Sequence, residues 1–273
     1  MKEYTSYIFD LYGTLINIKT DENDPKFWKK MARIYASQGA YYKGKELHKA
    51  YISLVTGKEE RLSSELGTKY PEIDLGEVFW ELYANAPKTG SEMLTPAVGD
   101  RFKFLNPKTC THAEKAVFVE IIANEFRVRS RKKLKLFKNT ERTLLELRRR
   151  GKKVYLLSNA QALFTWPELS QTGLIPYFND IFISSEHKMK KPARKFMEEL
   201  LAKDAISREN AVMIGDNMDS DMAIAAKCGV DGILINSRKL SKKEIKAEHE
   251  SLRAELGTDF EPAEIVDDIS EIL

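Results

Sequence analysis

Four short apolar runs in the second half of the chain limit the fold more than anything else in it. Lys153-Val154-Tyr155-Leu156-Leu157 ends at Ser158-Asn159, and Asp180-Ile181-Phe182-Ile183 ends at Ser184-Ser185. Ala211-Val212-Met213-Ile214 ends at Gly215-Asp216, and Gly232-Ile233-Leu234-Ile235 ends at Asn236. Unbroken apolar character marks strands covered on both faces. Helical stretches lie between them, among them Arg194 to Ala202 and Asp221 to Cys228. This alternation predicts a parallel sheet with crossover helices. A fifth run lies near residue 1: a strand predicted over 4–9 closes in Tyr7-Ile8-Phe9, stops at Asp10, and turns at once through Leu11-Tyr12-Gly13-Thr14-Leu15.

Between that first strand and the later four the texture changes. Phe27, Trp28, Met31, Ile34 and Tyr35 recur at helical spacing, as do Leu47, Tyr51, Leu54 and Val55, then Val78, Phe79, Leu82 and Tyr83. Residues 87–111 hold several Pro and Gly and read as a long loop, and Glu114 to Phe126 reads as a helix. Residues 17–134 are therefore expected to form a mostly helical insertion without a strong strand, its aromatic stripes serving as core. Residues 127–153 are rich in Arg and Lys. Leu144, Leu145 and Leu147 give this stretch an apolar side, so its charges read as the solvated face of a helix that Gly151 closes. Residues 237–255 read as an exposed, charged helix or loop, and the acidic tail from Glu261 ends on a short apolar close.

Charge and cysteine usage narrow the function classes. The formal net charge is +3, too small to point to nucleic acid, and no apolar run approaches a membrane span. Cys110 and Cys228 are far apart and suggest reduced thiols, and no signal-peptide pattern opens the sequence. A cytoplasmic protein is expected. His48, His112, His187 and His249 show no metal-ligand spacing. Oligomeric state is open.

In a parallel sheet the strand ends share one edge, where ligands bind. Asp10, Ser158, Asp216 and a turn with Lys188, Lys190 and Lys191 should converge there. Two carboxylates suit a hard cation such as Mg²⁺. A lysine, a hydroxyl and backbone N–H groups suit a phosphoryl group. A carboxylate can also act as a nucleophile.

With these residues in order the chain resembles the haloacid dehalogenase-like hydrolase superfamily over about residues 4–16 and 136–273. Asp10-Leu11-Tyr12-Gly13-Thr14 is similar to the first motif, whose leading Asp is the nucleophile. Ser158, with Asn159, is similar to the second, which binds phosphate. Lys191 before Pro192 is similar to the third, where the lysine neutralises charge. Gly215-Asp216-Asn217-Met218-Asp219-Ser220-Asp221 is similar to the fourth, whose acids bind or orient Mg²⁺. The resemblance implies an α/β Rossmann-like parallel-sheet core (residues 1–16 and 135–273) with an inserted helical cap (17–134). It also implies an Mg²⁺-dependent phosphatase of a small phosphorylated metabolite. Asp10, Tyr12 and Lys191 would be catalytic. Thr14, Ser158, Asn159 and Lys191 would hold substrate. Asp10, the Tyr12 carbonyl, Asp216 and Asp221 would serve the metal.

One position departs from the pattern. The family's phosphatases usually carry a second Asp two residues after the nucleophile, and here that residue is Tyr12. A phenol can donate a proton but is a poor base at neutral pH. Tyr12 therefore substitutes imperfectly and the aspartyl-phosphate accumulates, or another group is the base, or the chemistry differs. Asp-Leu-Tyr-Gly-Thr is also similar to the 2-haloacid dehalogenase branch, which attacks carbon without a metal. Keeping Asp216 and Asp221 beside Asp10 with no cation is costly, which favours the metal site. A catalytically impaired binding protein on this fold is the third alternative.

Overall fold

The computed structural model describes residues 2–87 and 105–273, so most of the loop expected at 87–111 lies outside the described residues. In chain order the elements begin with β1 (Ser6–Phe9), β2 (Ile16–Thr20), α1 (Pro25–Ser37), α2 (Gly44–Leu66), α3 (Leu75–Ala84), α4 (His112–Ser130) and β3 (Arg131–Leu136). They continue with α5 (Thr140–Arg149), β4 (Lys153–Ser158), α6 (Ala162–Thr172), β5 (Asp180–Ile183), α7 (Ser184–His187) and α8 (Arg194–Lys203). β6 (Ala211–Gly215), α9 (Ala223–Cys228), β7 (Asp231–Ile235), α10 (Lys242–Leu256) and β8 (Glu264–Val266) complete the chain. Two compact units result: Met1–Ile18 with Ser63–Glu72 and Lys133–Leu273, and Lys19–Leu62 with Ile73–Lys132.

The larger unit is built on a six-stranded sheet in the order β5-β4-β1-β6-β7-β8, and every pairing is parallel. Phe9 lies opposite both Leu156 and Ile214, so the central strand ends level with its two neighbours. Side chains sort by the two-residue period of a strand. Tyr7, Phe9, Val154, Leu156, Val212 and Ile214 enter one core with Leu144 and Leu147 of α5. Ile8, Tyr155, Leu157 and Met213 enter the other with Phe196, Met197 and Leu200 of α8. Burial of each such large apolar side chain contributes roughly 1.5–3 kcal/mol.

Two readings of the basic stretch need correction. Arg131–Leu136 is a strand, not part of a helix, and it pairs with β2. Lys132, Lys133 and Lys135 stay exposed while Leu134 and Leu136 pack toward the core. Leu145 is also not on the apolar side of α5: it is 42% exposed, and Leu144 and Leu147 carry that face. The tail adds an unanticipated sixth strand, β8, and the charged stretch before it is α10, started by a Ser241/Glu244 capping box.

The smaller unit comprises α1, most of α2, α3 and α4, and its core is aromatic. Phe27 and Phe126 meet edge to face at 5.0 Å between ring centroids, and Trp28, Tyr51 and Phe79 pack around them. Asp24, Asp74 and Thr111 accept backbone N–H groups at the starts of α1, α3 and α4.

Candidate active site

Asp10 is the first residue past β1, and its N–H still bonds Ile214 O at 2.9 Å, which aims the carboxylate over the sheet edge. The turn that follows is wound on itself. Leu11 O accepts from Leu15 N (2.8 Å) and Ile16 N (2.9 Å), and Gly13 N donates to Ile16 O (2.9 Å). Gly13 has φ +92, and a Cβ there would lie 2.6 Å from both Asp216 carboxylate oxygens. Gly215 makes room in the same way, since a Cβ there would meet the Asp221 carboxylate at 2.2 Å. These two glycines let three carboxylates share one small volume.

Asp10, Asp216 and Asp221 each place an oxygen within 4.8 Å of the others. The buried Lys191 ammonium donates at 2.7 Å to Asp10 Oδ1, to Asp221 Oδ1 and to Leu157 O. Its three N–H groups thus meet three acceptors. Burial alone lowers the lysine's proton affinity, but Asp10 and Asp221 outweigh that and hold it above the ordinary lysine range. Burial pushes the Asp221 carboxyl up, against the pull of Lys191 and helped by the Asp10 and Asp216 charges. Asp221 also accepts from Asn217 N at 3.1 Å, and the wide turn over Met218–Met222 delivers it.

Sequence reasoning named three lysines, and it is the Lys191 ammonium that reaches the carboxylates. Thr14 Oγ1 donates to Asp10 Oδ2 over 3.4 Å. Ser158 is fully buried at the end of β4, and its hydroxyl has no protein partner. A buried hydroxyl left unpaired costs free energy, so an acceptor-bearing ligand fits beside it. Asn159 is occupied with the backbone of Lys191, accepting from Lys191 N at 2.7 Å and donating to Lys191 O at 3.0 Å. Tyr12 is engaged by α6, its hydroxyl donating to Glu168 and lying 3.3 Å from Thr165 Oγ1. Glu168 and Thr165 are both buried and were not anticipated. Their only sequence signal is two polar residues three apart on an otherwise apolar helix face.

With all three carboxylates ionised, one ammonium leaves two negative charges uncompensated, and the donors are all oxygen. That set fits a hard divalent cation. Asp216 is pushed up to about 6, chiefly by burial and then by the Asp10 charge. An unfolded aspartic acid ionises near about 3.9, so between roughly pH 4 and 6 the folded chain keeps a proton that the unfolded chain has released. This group's contribution to stability therefore falls as pH rises through that window, and a cation bound to the ionised cluster reverses the loss above it. Mg²⁺ at about 100 times its Kd should add about 2.7 kcal/mol, roughly 5–10 °C in Tm, near neutral pH. The gain should shrink markedly near pH 5. A pH-independent gain in thermal unfolding experiments would contradict this account.

The fold and the cluster define a parallel α/β protein whose strand-end site is acidic and anchored by one lysine. A family model described as haloacid dehalogenase-like hydrolase matches residues 4–229, and a second, described as HAD-hydrolase-like, matches 188–272. The chain belongs to the haloacid dehalogenase-like hydrolases. It is 27% identical over 139 residues to a glyceraldehyde 3-phosphate phosphatase from Methanothermobacter thermautotrophicus, covering 51% of this chain and 58% of that one. The aligned stretches span 37% to 58% of these curated relatives' own length. Among solved structures, a 2-haloacid dehalogenase from Pseudomonas syringae superposes with TM-score 0.61 at 15% identity, covering 98% of this chain and 96% of that one. A HAD phosphatase from Thermococcus onnurineus gives 0.54 at 16% identity, covering 100% and 96%. These structural likenesses bear on the fold. Among the described residues no helix is long and apolar enough to cross a membrane.

Proposed function

We propose that the chain is a phosphatase of a small phosphorylated metabolite that works through an aspartyl-phosphate on Asp10. One observation carries this reading: three carboxylates cluster at the strand ends and one ammonium pairs with only two of them, Asp10 and Asp221, an arrangement with a use for a divalent cation. The curated phosphatase relatives agree with it in class. Asp10, Asp216 and the Tyr12 carbonyl would hold Mg²⁺, with Asp221 behind them, and the ion would neutralise phosphoryl charge. The helical unit takes the role of the cap in this reading.

The chain's own residues supply the rest. Asp10 Oδ1 is held by Lys191, whereas Oδ2 accepts only the long Thr14 contact, so Oδ2 is the attacking atom. It forms the new O–P bond as the P–O bond to the leaving group breaks, and the leaving oxygen takes a proton from Tyr12. Ser158 holds a phosphoryl oxygen, the Lys191 ammonium offsets charge from its place between Asp10 and Asp221, and Asn159 contributes by fixing the Lys191 backbone. Water then attacks phosphorus, giving its proton to bulk solvent, and the P–O bond to Asp10 breaks to free the carboxylate and release inorganic phosphate. At neutral pH Tyr12 regains its proton from solvent before the water attacks, and a neutral phenol that donates to Glu168 is a poor base, so this second step is slow and the phosphoenzyme accumulates.

The test is hydrolysis of an aryl phosphate with Mg²⁺ and with EDTA, with acid quenching to trap the phosphoenzyme. Metal-dependent turnover with an acid-stable, hydroxylamine-labile phosphoenzyme is the expected result. Halide release from a 2-haloacid in EDTA, without phosphate release in Mg²⁺, would replace the reading with the dehalogenase one that Tyr12 suggests.

A further inference from the structure

The groups assigned to the phosphoryl moiety are Ser158, the last residue of β4, and residues on two loops, 159–161 after β4 and 184–192 after β5. Both loops lie past the last paired residues of their strands, Ser158 and Ile183. Both are tied to a short segment that comes from far away in sequence, residues 68–72, which belongs to the larger unit. There Pro71 bridges Met189 in antiparallel fashion. Lys190 N donates to Tyr70 O at 3.0 Å, and Glu72 N donates to Lys188 O at 3.1 Å. The segment thus runs as a short ribbon beside the backbone that leads into Lys191.

Glu72 extends that ribbon to the second loop. Its Oε1 accepts from Gln161 Nε2 at 2.8 Å and its Oε2 from Ser184 Oγ at 2.9 Å. Ser184 is fully buried, and its hydroxyl accepts from Ala160 N at 2.8 Å. A hydroxyl has one proton to give, so donation to the Glu72 carboxylate leaves its lone pairs for Ala160 N–H. The other acceptor within reach of that proton is Ala160 O at 3.0 Å, and the charged carboxylate makes the stronger bond of the two. The carboxylate therefore sets the direction of the Ser184 hydroxyl, and through it the position of the peptide that follows Asn159. Asn159 in turn brackets the backbone of Lys191. The path from Glu72 to the catalytic ammonium is closed from both sides, through Lys188–Lys190 and through Ser184, Ala160 and Asn159.

We propose that Glu72 is a positioning residue for phosphoryl transfer: its carboxylate fixes the two loops that carry Asn159 and Lys191 beside Ser158. This rests on the phosphatase reading above. Near-attack geometry is sensitive at this scale, since a displacement of about 1 Å can cost 10²-fold in rate. Glu72 is half-buried and stands outside the cluster of Asp10, Asp216 and Asp221, so its replacement leaves the carboxylates around Lys191 in place.

The experiment compares wild type, Glu72→Ala, Glu72→Gln and the exposed control Glu65→Gln well below their Tm. Two readouts are taken on each. Single-turnover formation of the phosphoenzyme from an aryl phosphate should slow roughly 10- to 100-fold in Glu72→Ala. The loss should fall on the single-turnover rate constant at saturating substrate, with the substrate concentration for half-maximal rate little changed. Glu72→Gln keeps one oxygen acceptor and should recover most of the rate, and Glu65→Gln should match wild type. Hydrogen exchange at peptides covering 159–161 and 188–191 should speed up in Glu72→Ala and not in Glu65→Gln. Unchanged exchange in those peptides overturns the proposal whatever the activity. Faster exchange with wild-type phosphoryl transfer also overturns it, leaving a tie of no catalytic consequence. A wild-type protein that forms no phosphoenzyme overturns the phosphatase reading and this role with it, whereas an active wild type with a fully active Glu72→Ala overturns only the role of Glu72.

Discussion

Asp10→Asn should abolish turnover, by at least about 10⁴-fold, as expected when a covalent nucleophile is removed. The amide cannot form an acyl phosphate at neutral pH, so the acid-quenched phosphoenzyme should vanish as well. The fold should survive. Asn preserves the shape of the side chain and an oxygen acceptor for the Lys191 ammonium, which now sits at 2.7 Å from Asp10 Oδ1. Replacement also removes one of three mutually repelling charges. Initial rates on an aryl phosphate, trapped label and thermal unfolding together check the prediction. Phosphatase activity within tenfold of wild type would sink the mechanism, because no other carboxylate in the cluster follows β1 into that position.

Lys191→Met should have the largest effect on stability. The ammonium is buried and is shared by Asp10 and Asp221. Removing one partner of a buried ion pair costs roughly 3–5 kcal/mol, because the charges left behind remain desolvated. Leu157 O loses its donor too. The sign with pH follows from the carboxylates. Burial holds the Asp216 and Asp221 proton affinities up, so mild acid neutralises part of the cluster and the variant should be least disadvantaged near pH 5. At pH 8 the carboxylates are ionised and the loss should be largest. The lysine itself titrates far above this range, so it adds no slope of its own between these values. Urea unfolding at both pH values measures the difference. A variant as stable as wild type at pH 8 would mean that Lys191 is not what holds the carboxylates together. Turnover should be lost at either pH.

The strands and the acidic cluster were legible because their signals are local. A run such as Ala211–Gly215 states its own burial, and the polar residue at its end states which edge it faces. Strand ends in one parallel sheet converge by topology, so Asp10, Ser158, Asp216 and the turn with Lys188, Lys190 and Lys191 could be expected together, while Asp221 and the choice of Lys191 came from the family resemblance. What stayed hidden has no local signature. β8 is three residues long and opens on an acid, too little for periodicity to register. Arg131–Leu136 is so basic that its alternation was lost among neighbouring helical charges. Glu72 is one acid in a polar stretch, and its importance lies in two loops more than 80 residues away in sequence. Glu168 lies on a helix with Pro167 inside it, a residue that argues against helix when only propensity is consulted.

The strand order has a consequence for synthesis. β1 is made first, yet in the finished sheet it lies at the centre, between β4 and β6. Its nearest partner in sequence begins at Lys153, well over a hundred residues downstream. At about 5–20 residues per second, the strand that carries Asp10 leaves the ribosome on the order of ten seconds before anything it can pair with. Until then the run Ser6–Phe9, buried along its whole length once folded, is an open apolar edge. The helical unit, whose segments are made in that interval, has the chance to fold while β1 waits. The strand that carries Asp10 is thus made before every strand it pairs with and is secured late, which makes this protein's yield in cells sensitive to whatever shields a short apolar segment near residue 10.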